Sequence, residues 1–367
     1  MVEARGVVIA TAGAPAHIEP ILVDAPGPGE VLVRVVANGV CHSDLWAIAN
    51  GNWGAPFPML LGHEGAGVVE AVGESVEHVA PGDAVLLAWA VPCGTCEACM
   101  RGRPRRCSHA WEQPPRVATA EGARLQGTLS IGSLATHTVV HGAQALPIPA
   151  GLDPVQACLL GCGASTGIGA AVNTAPVRQG DTVAVIGIGG IGLSALQGAR
   201  LAGASRLIAI DRVAAKLEIA ERLGATDLID AMVEDPVEAV RACADGGVDV
   251  SFEATGNAAV VAQAVAMLRR GGTAVAIGVP APDSTITLDW GEATTGAAYP
   301  TKATLKVTDG GDALPEDFQD WMAAAVDGRI DLAAMVTVQA PFTEDALTEA
   351  FRAMLAGEVV RTVITFD

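Results

Sequence analysis

A glycine-rich turn between a strand and a helix constrains the fold of this chain most strongly. The run TVAVIGIG at 182–189 predicts a buried strand, and residues 190–201 fit a helix. The turn between them has the pattern Gly-x-Gly-x-x-Gly and consists of Gly187, Ile188, Gly189, Gly190, Ile191 and Gly192. In a dinucleotide-binding turn the first glycine closes the turn, the second lets the backbone approach a pyrophosphate, and the third packs helix on strand. The alternative is a glycine turn in an α/β sheet that binds no nucleotide.

The residues around this turn continue the alternation of strands and helices. Strands are predicted at 206–211, 227–230, 249–255 and 273–280, and helices at 214–224 and 259–272. Such alternation is typical of a parallel sheet covered by helices on both faces. The middle of the chain therefore predicts a doubly wound, Rossmann-type α/β domain.

Asp211 lies at the end of the second predicted strand, nineteen residues after Gly192. A carboxylate there accepts hydrogen bonds from the adenosine ribose and repels a 2′-phosphate, which favours NAD over NADP. Arg212 beside it favours NADP instead, because an arginine can accommodate the 2′-phosphate. The sequence thus predicts an NAD site, although Arg212 is a residue that would also suit NADP.

The two ends of the chain differ from its middle in composition and in predicted secondary structure. Residues 1–150 are rich in glycine, proline and β-branched runs, with short strands predicted at 31–40 and 65–73. After residue 300 the pattern is irregular, with helices near 317–328 and 343–357 and a strand at 361–366. We expect a β-rich domain formed by 1–163 and 310–367, interrupted by the α/β domain at 164–309.

The net charge and the composition exclude several classes of function. The formal net charge of −19 argues against a nucleic-acid partner and against an anionic membrane surface. Two uncharged stretches, 154–177 and 182–199, reach the length of membrane spans, but their glycines favour buried strands, turns and helices. The N-terminal segment has no long apolar run of the kind that signal peptides carry. We therefore expect a cytoplasmic protein that does not enter the membrane.

Four of the eight cysteines lie within fifteen residues of one another: Cys93, Cys96, Cys99 and Cys107. Four thiolates can surround one Zn²⁺ tetrahedrally, which leaves no open position and makes such a site structural. Disulfides and an iron–sulfur cluster are the alternatives, since Cys-x2-Cys spacing also occurs in ferredoxin-like runs.

A second metal site is suggested by scattered residues. Cys41, His63 and Cys162 would provide two thiolates and one imidazole, a set that leaves a fourth position for water or substrate. Each residue also has an ordinary interpretation, because buried thiols pack as small apolar groups. Sequence spacing alone does not bring the three together.

The motifs taken together resemble one family along the whole chain. They are GVCHSD, GHEGAGVVEAVG, the clustered cysteines, LLGCGASTG, VIGIGGIG followed by IAID, and VVRTVITF. The chain resembles the zinc-dependent medium-chain alcohol dehydrogenases. The resemblance implies a GroES-like catalytic domain, a Rossmann domain, a catalytic zinc on Cys41, His63 and Cys162, and a structural zinc on the cysteine cluster.

Further roles are implied by the same resemblance. Glu64 corresponds to a carboxylate that can move in to ligate the catalytic zinc, and Asp44 to the residue that orients the zinc-bound histidine. Ser43 corresponds to the hydroxyl that accepts the alcohol proton. The resemblance also implies cofactor contacts for four positively charged or ionisable residues, two of which, His42 and Arg361, face the pyrophosphate. The four residues are His42, Arg212, Lys216 and Arg361.

One position departs from the family. Many members have a histidine five residues after the first zinc cysteine, where it passes the proton to solvent; this chain has Trp46 there. The proton must leave by another route, through the cofactor ribose and water, or the indole lines the substrate pocket. Trp53 and Trp111 either line that pocket or pack ordinarily.

Within the family, several stretches resemble actinobacterial mycothiol-dependent formaldehyde dehydrogenases, among them LKVTDGGDALPEDF. Three functions follow as expectations. The first is NAD-dependent hydride transfer to or from a small primary alcohol or aldehyde, and the second is oxidation of a thiol–formaldehyde adduct. The third is a reductase of another bond type, or a binding protein, on the same scaffold. The resemblance also implies two Zn²⁺ per chain and a homodimer or homotetramer.

Overall fold

The computed structural model describes residues 1–51, 56–89, 91–107, 114–281, 283–288 and 302–367. The chain divides into two compact units. The first comprises residues 1–162, 314–328 and 335–367, and the second comprises 163–313 and 329–334. The sequence placed the two joins at 163/164 and 309/310 and did not anticipate that 329–334 returns to the second unit.

The bounds of the strands, in chain order and within the described residues, are β1 (Val2–Ile9), β2 (His17–Val23), β3 (Glu30–Gly39), β4 (Met59–Leu60), β5 (Gly65–Val72), β6 (Ala84–Leu87), β7 (Val117–Thr119), β8 (Arg124–Gly127), β9 (His137–His141), β10 (Ala145–Pro147), β11 (Thr182–Ile186), β12 (Arg206–Asp211), β13 (Asp227–Asp230), β14 (Val248–Glu253), β15 (Leu268–Ala276), β16 (Thr304–Val307), β17 (Val336–Pro341) and β18 (Arg361–Thr365).

The α-helices among the same residues are α1 (His42–Asn50), α2 (Glu97–Met100), α3 (Pro154–Ala157), α4 (Gly163–Gly169), α5 (Gly190–Leu201), α6 (Ala214–Arg222), α7 (Pro236–Cys243), α8 (Ala258–Ala266), α9 (Pro315–Val326) and α10 (Glu344–Leu355). None of these helices is by itself long and apolar enough to cross a membrane. One bent pair, Pro154–Gly161 with Gly163–Thr174, meets the length and composition criteria when taken together.

The first unit is β-rich. Strands β1, β2, β7, β8 and β4 form a closed barrel, and a second sheet has the order β10-β6-β5-β3-β18-β17, with β9 also paired to β3. The central strand β3 is almost continuously buried, because its β-branched residues face packed layers on both sides. It ends at Gly39, two residues before Cys41. The short strand β4 and the strand β5 lie on either side of His63 and Glu64.

The second unit is a six-stranded parallel sheet of order β13-β12-β11-β14-β15-β16. The chain winds outward from β11 in one direction and from β14 in the other. The carboxyl ends of β11 and β14 therefore form the switch point where doubly wound sheets bind ligands. The predicted fold class, a GroES-like β-rich part plus a Rossmann domain, is confirmed.

One predicted boundary was wrong. The helix expected over 259–272 ends at Ala266, and β15 begins at Leu268 rather than at Thr273. The apolar and basic residues after Ala266 fit a helical pattern, but Leu268 pairs with Val248 of β14. Tertiary pairing overrides local preference here. Helix α7 was also not anticipated, although Asp235 caps it and Pro236 begins it.

Candidate active site and metal centres

Four buried side chains of the first unit converge on one point. The ligand atoms of Cys41, His63, Glu64 and Cys162 all lie within 4.8 Å of one another. The structure therefore brings together the three scattered residues that the sequence suggested as a catalytic metal site, and adds Glu64 to them. Two soft thiolates and one imidazole are a donor set that suits Zn²⁺.

Two glycines that directly precede proposed ligands allow close packing of the backbone around the site. Gly62, just before His63, has φ +94°, and a Cβ there would lie 2.0 Å from the amide nitrogen of Leu134. Gly161, just before Cys162, packs on the backbone of Glu64, where a Cβ would lie 2.9 Å from its Cα. Any larger residue would separate these segments, so the metal site depends on both glycines.

His63 is oriented by Asp44. The distance between Nδ1 of His63 and Oδ1 of Asp44 is 3.2 Å, and both side chains are fully buried. The other ring nitrogen, Nε2, has no hydrogen-bond partner among the described residues. A buried nitrogen without a partner is costly unless it binds something else. The donor set and this nitrogen fit a metal ion.

The electrostatics of the cluster favour a positive charge. Burial lowers the pKa of His63, but the carboxylate of Asp44 and the thiolate of Cys41 raise it, to a net value of about 10. The pKa of Cys41 is held well below its usual range by a hydrogen bond from Cys162, against the effect of burial, with help from His63 and Arg361. A metal ion bound here would take the place of the proton on His63, because a metal-ligating histidine is neutral and a metal-ligating cysteine is a thiolate.

Arg361 is buried beside the metal site. Its guanidinium is 7% exposed and forms a buried ion pair with the carboxylate of Glu64 in the same unit. The pair compensates the charge of both groups beside the metal site. Contact of Arg361 with a cofactor pyrophosphate stays a prediction. His42 is the first residue of α1 and is exposed, and Ser43 next to it is half-buried.

The cysteine cluster forms a second group. The Sγ atoms of Cys93, Cys96, Cys99 and Cys107 all lie within 4.8 Å of one another. None of the eight cysteines, which all lie among the described residues, forms a disulfide, so the structure contains none of the disulfides considered as an alternative. The backbone N–H groups of Cys93 and Cys96 donate to Sγ of Cys107 and Cys93, each at 3.3 Å. Hydrogen bonds of this kind stabilise thiolates, as metal-bound cysteines require.

These cysteines differ in acidity before any metal binds. Hydrogen bonds from the backbone of Thr95 and Cys96 lower the pKa of Cys93 to about 6, whereas burial and its thiol neighbours raise that of Cys99 to about 12. The segment is fastened to α9 by two hydrogen bonds from Arg105 to Asp317, at 2.6 and 3.2 Å.

The glycine turn of the second unit has the geometry expected of a dinucleotide site. Gly187 has φ +89°, and a Cβ on Gly192 would lie 1.9 Å from the carbonyl oxygen of Gly187. A Cβ on Gly189 would meet nothing within 4 Å. The first and third glycines are thus required by packing. The second opens onto free space at the start of α5, which is where dinucleotide-binding turns of this pattern receive the pyrophosphate.

Asp211 is already engaged with this turn. Its Oδ2 accepts a hydrogen bond from the N–H of Ile188 at 2.6 Å, and its Oδ1 accepts from Arg212 and Val213 at 2.7 and 2.9 Å. Arg212 is exposed, and Lys216 in the first turn of α6 is half-buried. The carboxylate thus holds the turn in place, and its contact with a cofactor ribose stays a prediction.

Several side chains of interest were not identified from the sequence. Trp89 and Leu129 belong to the same buried cluster as Cys41 and Cys162. No local motif marks them, because they reach the cluster through the fold. Trp46 is half-buried on α1. Trp53 and Trp111 lie outside the described residues.

Comparison with known proteins identifies related chains. Residues 27–150 match the family described as alcohol dehydrogenase GroES-like domain, and residues 190–327 match the family described as zinc-binding dehydrogenase. The S-(hydroxymethyl)glutathione dehydrogenase of Photobacterium damsela subsp. piscicida is 38% identical over 375 residues, covering 99% of this chain and 100% of the relative.

Two solved structures are similar over their whole length. An alcohol dehydrogenase zinc-binding domain protein from Burkholderia ambifaria has a TM-score of 0.91 and 32% identity, covering 100% of this chain and 99% of its own. The benzyl alcohol dehydrogenase of Acinetobacter calcoaceticus has a TM-score of 0.89 and 29% identity, covering 100% of both chains.

Proposed function

The chain belongs to the zinc-dependent medium-chain alcohol dehydrogenase family, and we propose that it transfers a hydride between NAD and a small primary alcohol or aldehyde. The observation that carries this proposal is the grouping of buried His63 with two thiols and a carboxylate, whose ligand atoms lie within 4.8 Å of one another, while Nε2 of His63 has no hydrogen-bond partner in the described part of the chain. When bound there, Zn²⁺ supplies Lewis acidity that lowers the pKa of a ligated hydroxyl. Two such ions per chain are proposed, one on this set and one on the cysteine cluster.

The chain's own residues prepare the site for that chemistry. Asp44 fixes the His63 ring through Nδ1, so that Nε2 points to the metal position. Ser43, at the second position of α1, takes the alcohol proton onward. Trp46 cannot relay it, since an indole N–H donates but does not accept a proton. A bound NAD would supply a ribose hydroxyl, which together with water would give the proton a route that does not involve Trp46.

The surroundings of two proposed ligands are partly apolar. Trp89, Leu129 and Ile131 belong to the same buried core cluster as Cys41 and Cys162. We infer that a substrate bound at the metal position would meet apolar side chains, which favour a hydrocarbon substituent on the alcohol over a charged one. The benzyl alcohol dehydrogenase among the similar structures is in keeping with an aliphatic or benzylic primary alcohol as substrate.

A second candidate function is oxidation of a thiol–formaldehyde adduct. It is favoured by the relative named S-(hydroxymethyl)glutathione dehydrogenase, which matches 99% of the chain at 38% identity. An NAD⁺-reduction assay with formaldehyde, run with no thiol, with glutathione and with mycothiol, separates the two. Activity on primary alcohols without thiol supports the first function; a strict thiol requirement supports the second.

Two buried cysteines offer a matched test of the metal site. Cys162 is a proposed ligand, whereas Cys158, four residues earlier, is also buried and lies outside both metal groups. We expect Cys162→Ala to retain one zinc of two and to lose at least about a hundredfold in kcat. Cys158→Ala should retain both ions and most of the activity. Full activity in a folded Cys162→Ala variant would contradict the proposal.

We propose a cytoplasmic location for the enzyme. None of its eight cysteines forms a disulfide, as is usual in a reducing compartment.

We also propose that the enzyme is a homo-oligomer. Among the described residues, β16 is an edge strand of the parallel sheet, and all four of its residues are exposed. An edge strand of this kind is a template for pairing with a second copy.

A further inference from the structure

A buried hydrogen bond ties together two segments that carry the proposed zinc ligands. The hydroxyl of Ser133 donates to Oδ1 of Asn38 at 2.6 Å, and both residues are fully buried. Asn38 lies near the end of β3, three residues before Cys41. Ser133 lies in the loop before β9, ninety-five residues away in the chain. Neither residue touches substrate in any role assigned above.

Ser133 is packed against the segment that carries His63 and Glu64. Its backbone N–H donates to the carbonyl of Gly62 at 3.0 Å. On the other side of the two ligand residues, a Cβ on Gly65 would lie 2.6 Å from Cβ of Ser133. Ser133 therefore contacts this segment both before and after His63 and Glu64.

Asn38 is fastened to the segment that leads to Cys41. Its Nδ2 donates to the carbonyl of Gly39 at 2.8 Å. The N–H of Gly39 donates to the carbonyl of Glu64 at 3.0 Å. A Cβ on Gly39 would lie 2.1 Å from Oε2 of Glu64, so this backbone is in close contact with the metal site. A shift of Asn38 would displace both segments.

We propose that the Ser133–Asn38 hydrogen bond is a positioning device that holds the segments of Cys41 and His63 at the spacing required by the catalytic zinc. The inference rests on the proposed zinc site. Ligand geometry is set by such outer contacts as well as by the ligands, and their loss weakens metal binding. A buried hydrogen bond also leaves a costly unsatisfied acceptor when its donor is removed.

The test measures the release of each zinc to a chelator from the holoenzyme. The Cys162→Ala variant, which is expected to hold only the zinc of the cysteine cluster, identifies that phase. In Ser133→Ala we expect release of the catalytic zinc to accelerate about five- to tenfold, with the cluster zinc unchanged. The same change should appear as an altered absorption spectrum when Co²⁺ occupies the catalytic site.

The matched control is Ser251→Ala. Ser251 is also fully buried, and its hydroxyl donates to the carbonyl of Ala264 at 2.7 Å in the second unit. This variant should release both ions as the wild type does. If Ser133→Ala releases the catalytic zinc at the wild-type rate, or accelerates both ions equally, the positioning role is wrong while the two-zinc proposal stands.

A second variant protects the test against a folding defect. Asn38→Ala breaks the same bond from the other side and should accelerate catalytic-zinc release in the same direction. The double variant of Asn38 and Ser133 should release that zinc no faster than Asn38→Ala alone, because the bond is already lost. Additive effects would show that the two residues act separately and would overturn the inference.

Discussion

Asp44 uses its two carboxylate oxygens for different partners. Oδ1 meets Nδ1 of His63 at 3.2 Å, and Oδ2 accepts the N–H of Cys41 at 3.1 Å, so one side chain orients two ligands. Asp44→Asn keeps the size of the side chain but has only one acceptor oxygen. We expect affinity for the catalytic zinc to fall about 10- to 100-fold, measured by chelator competition.

Asp153→Asn is the control for that change. Asp153 caps α3 through the N–H of Val155 at 2.9 Å, a bond that an asparagine also makes. Zinc affinity should not change in this variant. An Asp44→Asn enzyme that binds zinc like the wild type would show that Asp44 does not orient the ligands.

Glu253 is a buried carboxyl at the carboxyl end of β14. Its Oε1 accepts hydrogen bonds from the N–H groups of Thr255 and Gly256 at 2.6 and 3.0 Å, while Oε2 has no partner among the described residues. Burial raises the pKa of Glu253 above 4.5, against the effect of these bonds. The folded protein therefore holds this proton more tightly than the unfolded chain does.

The sign of the pH dependence follows from that shift. The stability associated with the protonated group is fully present below the unfolded value of about 4.5 and is lost as the pH rises through the folded value. Glu253→Gln does not titrate and escapes this loss. Its free energy of unfolding should therefore rise relative to the wild type between pH 5 and pH 8, by at most about 1.4 kcal/mol per pH unit.

Denaturant unfolding of both proteins at three pH values checks this expectation, with Glu121→Gln at an exposed position as the control. The control should follow the wild type at every pH. A Glu253→Gln difference that stays constant with pH would show that the carboxyl is ionised in the folded state.

At the scale of elements, the turn between β11 and α5 and the end of β12 form the proposed cofactor site. Asp211 at the end of β12 accepts a hydrogen bond from the N–H of Ile188 in the turn at 2.6 Å, and we proposed that the cofactor is NAD. Asp211→Ala should reduce kcat/KM for NAD⁺ by about tenfold or more, from loss of a charge-assisted hydrogen bond. The ratio of kcat/KM for NADP⁺ to that for NAD⁺ should rise.

Arg212→Ala provides the comparison. If Arg212 does not bind a 2′-phosphate, the variant should keep the cofactor ratio of the wild type. A wild-type enzyme that prefers NADP⁺, and loses that preference in Arg212→Ala, would reverse the assignment.

The same scale shows what sequence patterns can determine. The bounds of α5 and β12 were predicted residue for residue, since glycine and charged residues mark their ends. The end of α8 was not predicted, because it is set by β15, which follows α8 directly and pairs with β14. The short strand β17 was missed because its alternation is weak and β18 completes it. Local sequence patterns predict the bounds of elements that are flanked by glycine or charged residues. They fail where the bounds are set by pairing with a strand that is distant in sequence.

In the metal site, too, the sequence identifies some residues and not others. Cys41, His63 and Cys162 were selected from the sequence only because several motifs together resemble one family. The contact between Ser133 and Asn38 spans ninety-five residues and has no motif, so only the folded chain reveals it. Residues that hold ligands in place are set by packing, which a single sequence does not display.

At the scale of the whole molecule, the exposed edge of the parallel sheet bears on assembly. Strand β16 pairs with β15 on one side, and no other strand in the described part of the chain pairs with it. Val307 is 78% exposed and Leu305 is 37% exposed, so the edge carries apolar side chains as well as unpaired backbone. Exposed apolar side chains on a strand edge promote association, and a charge placed among them opposes it.

Val307→Lys should therefore shift the protein from a dimer or tetramer toward smaller species, measured by light scattering after size-exclusion chromatography. Val233, which is 81% exposed and lies after β13 at the opposite end of the sheet order, gives the control Val233→Lys. Both changes add the same charge at similarly exposed valines, so net charge alone cannot distinguish them. Dissociation in the Val307 variant alone would locate the interface at β16. Equal behaviour of both variants, with the wild-type mass retained, would place the interface elsewhere on the surface.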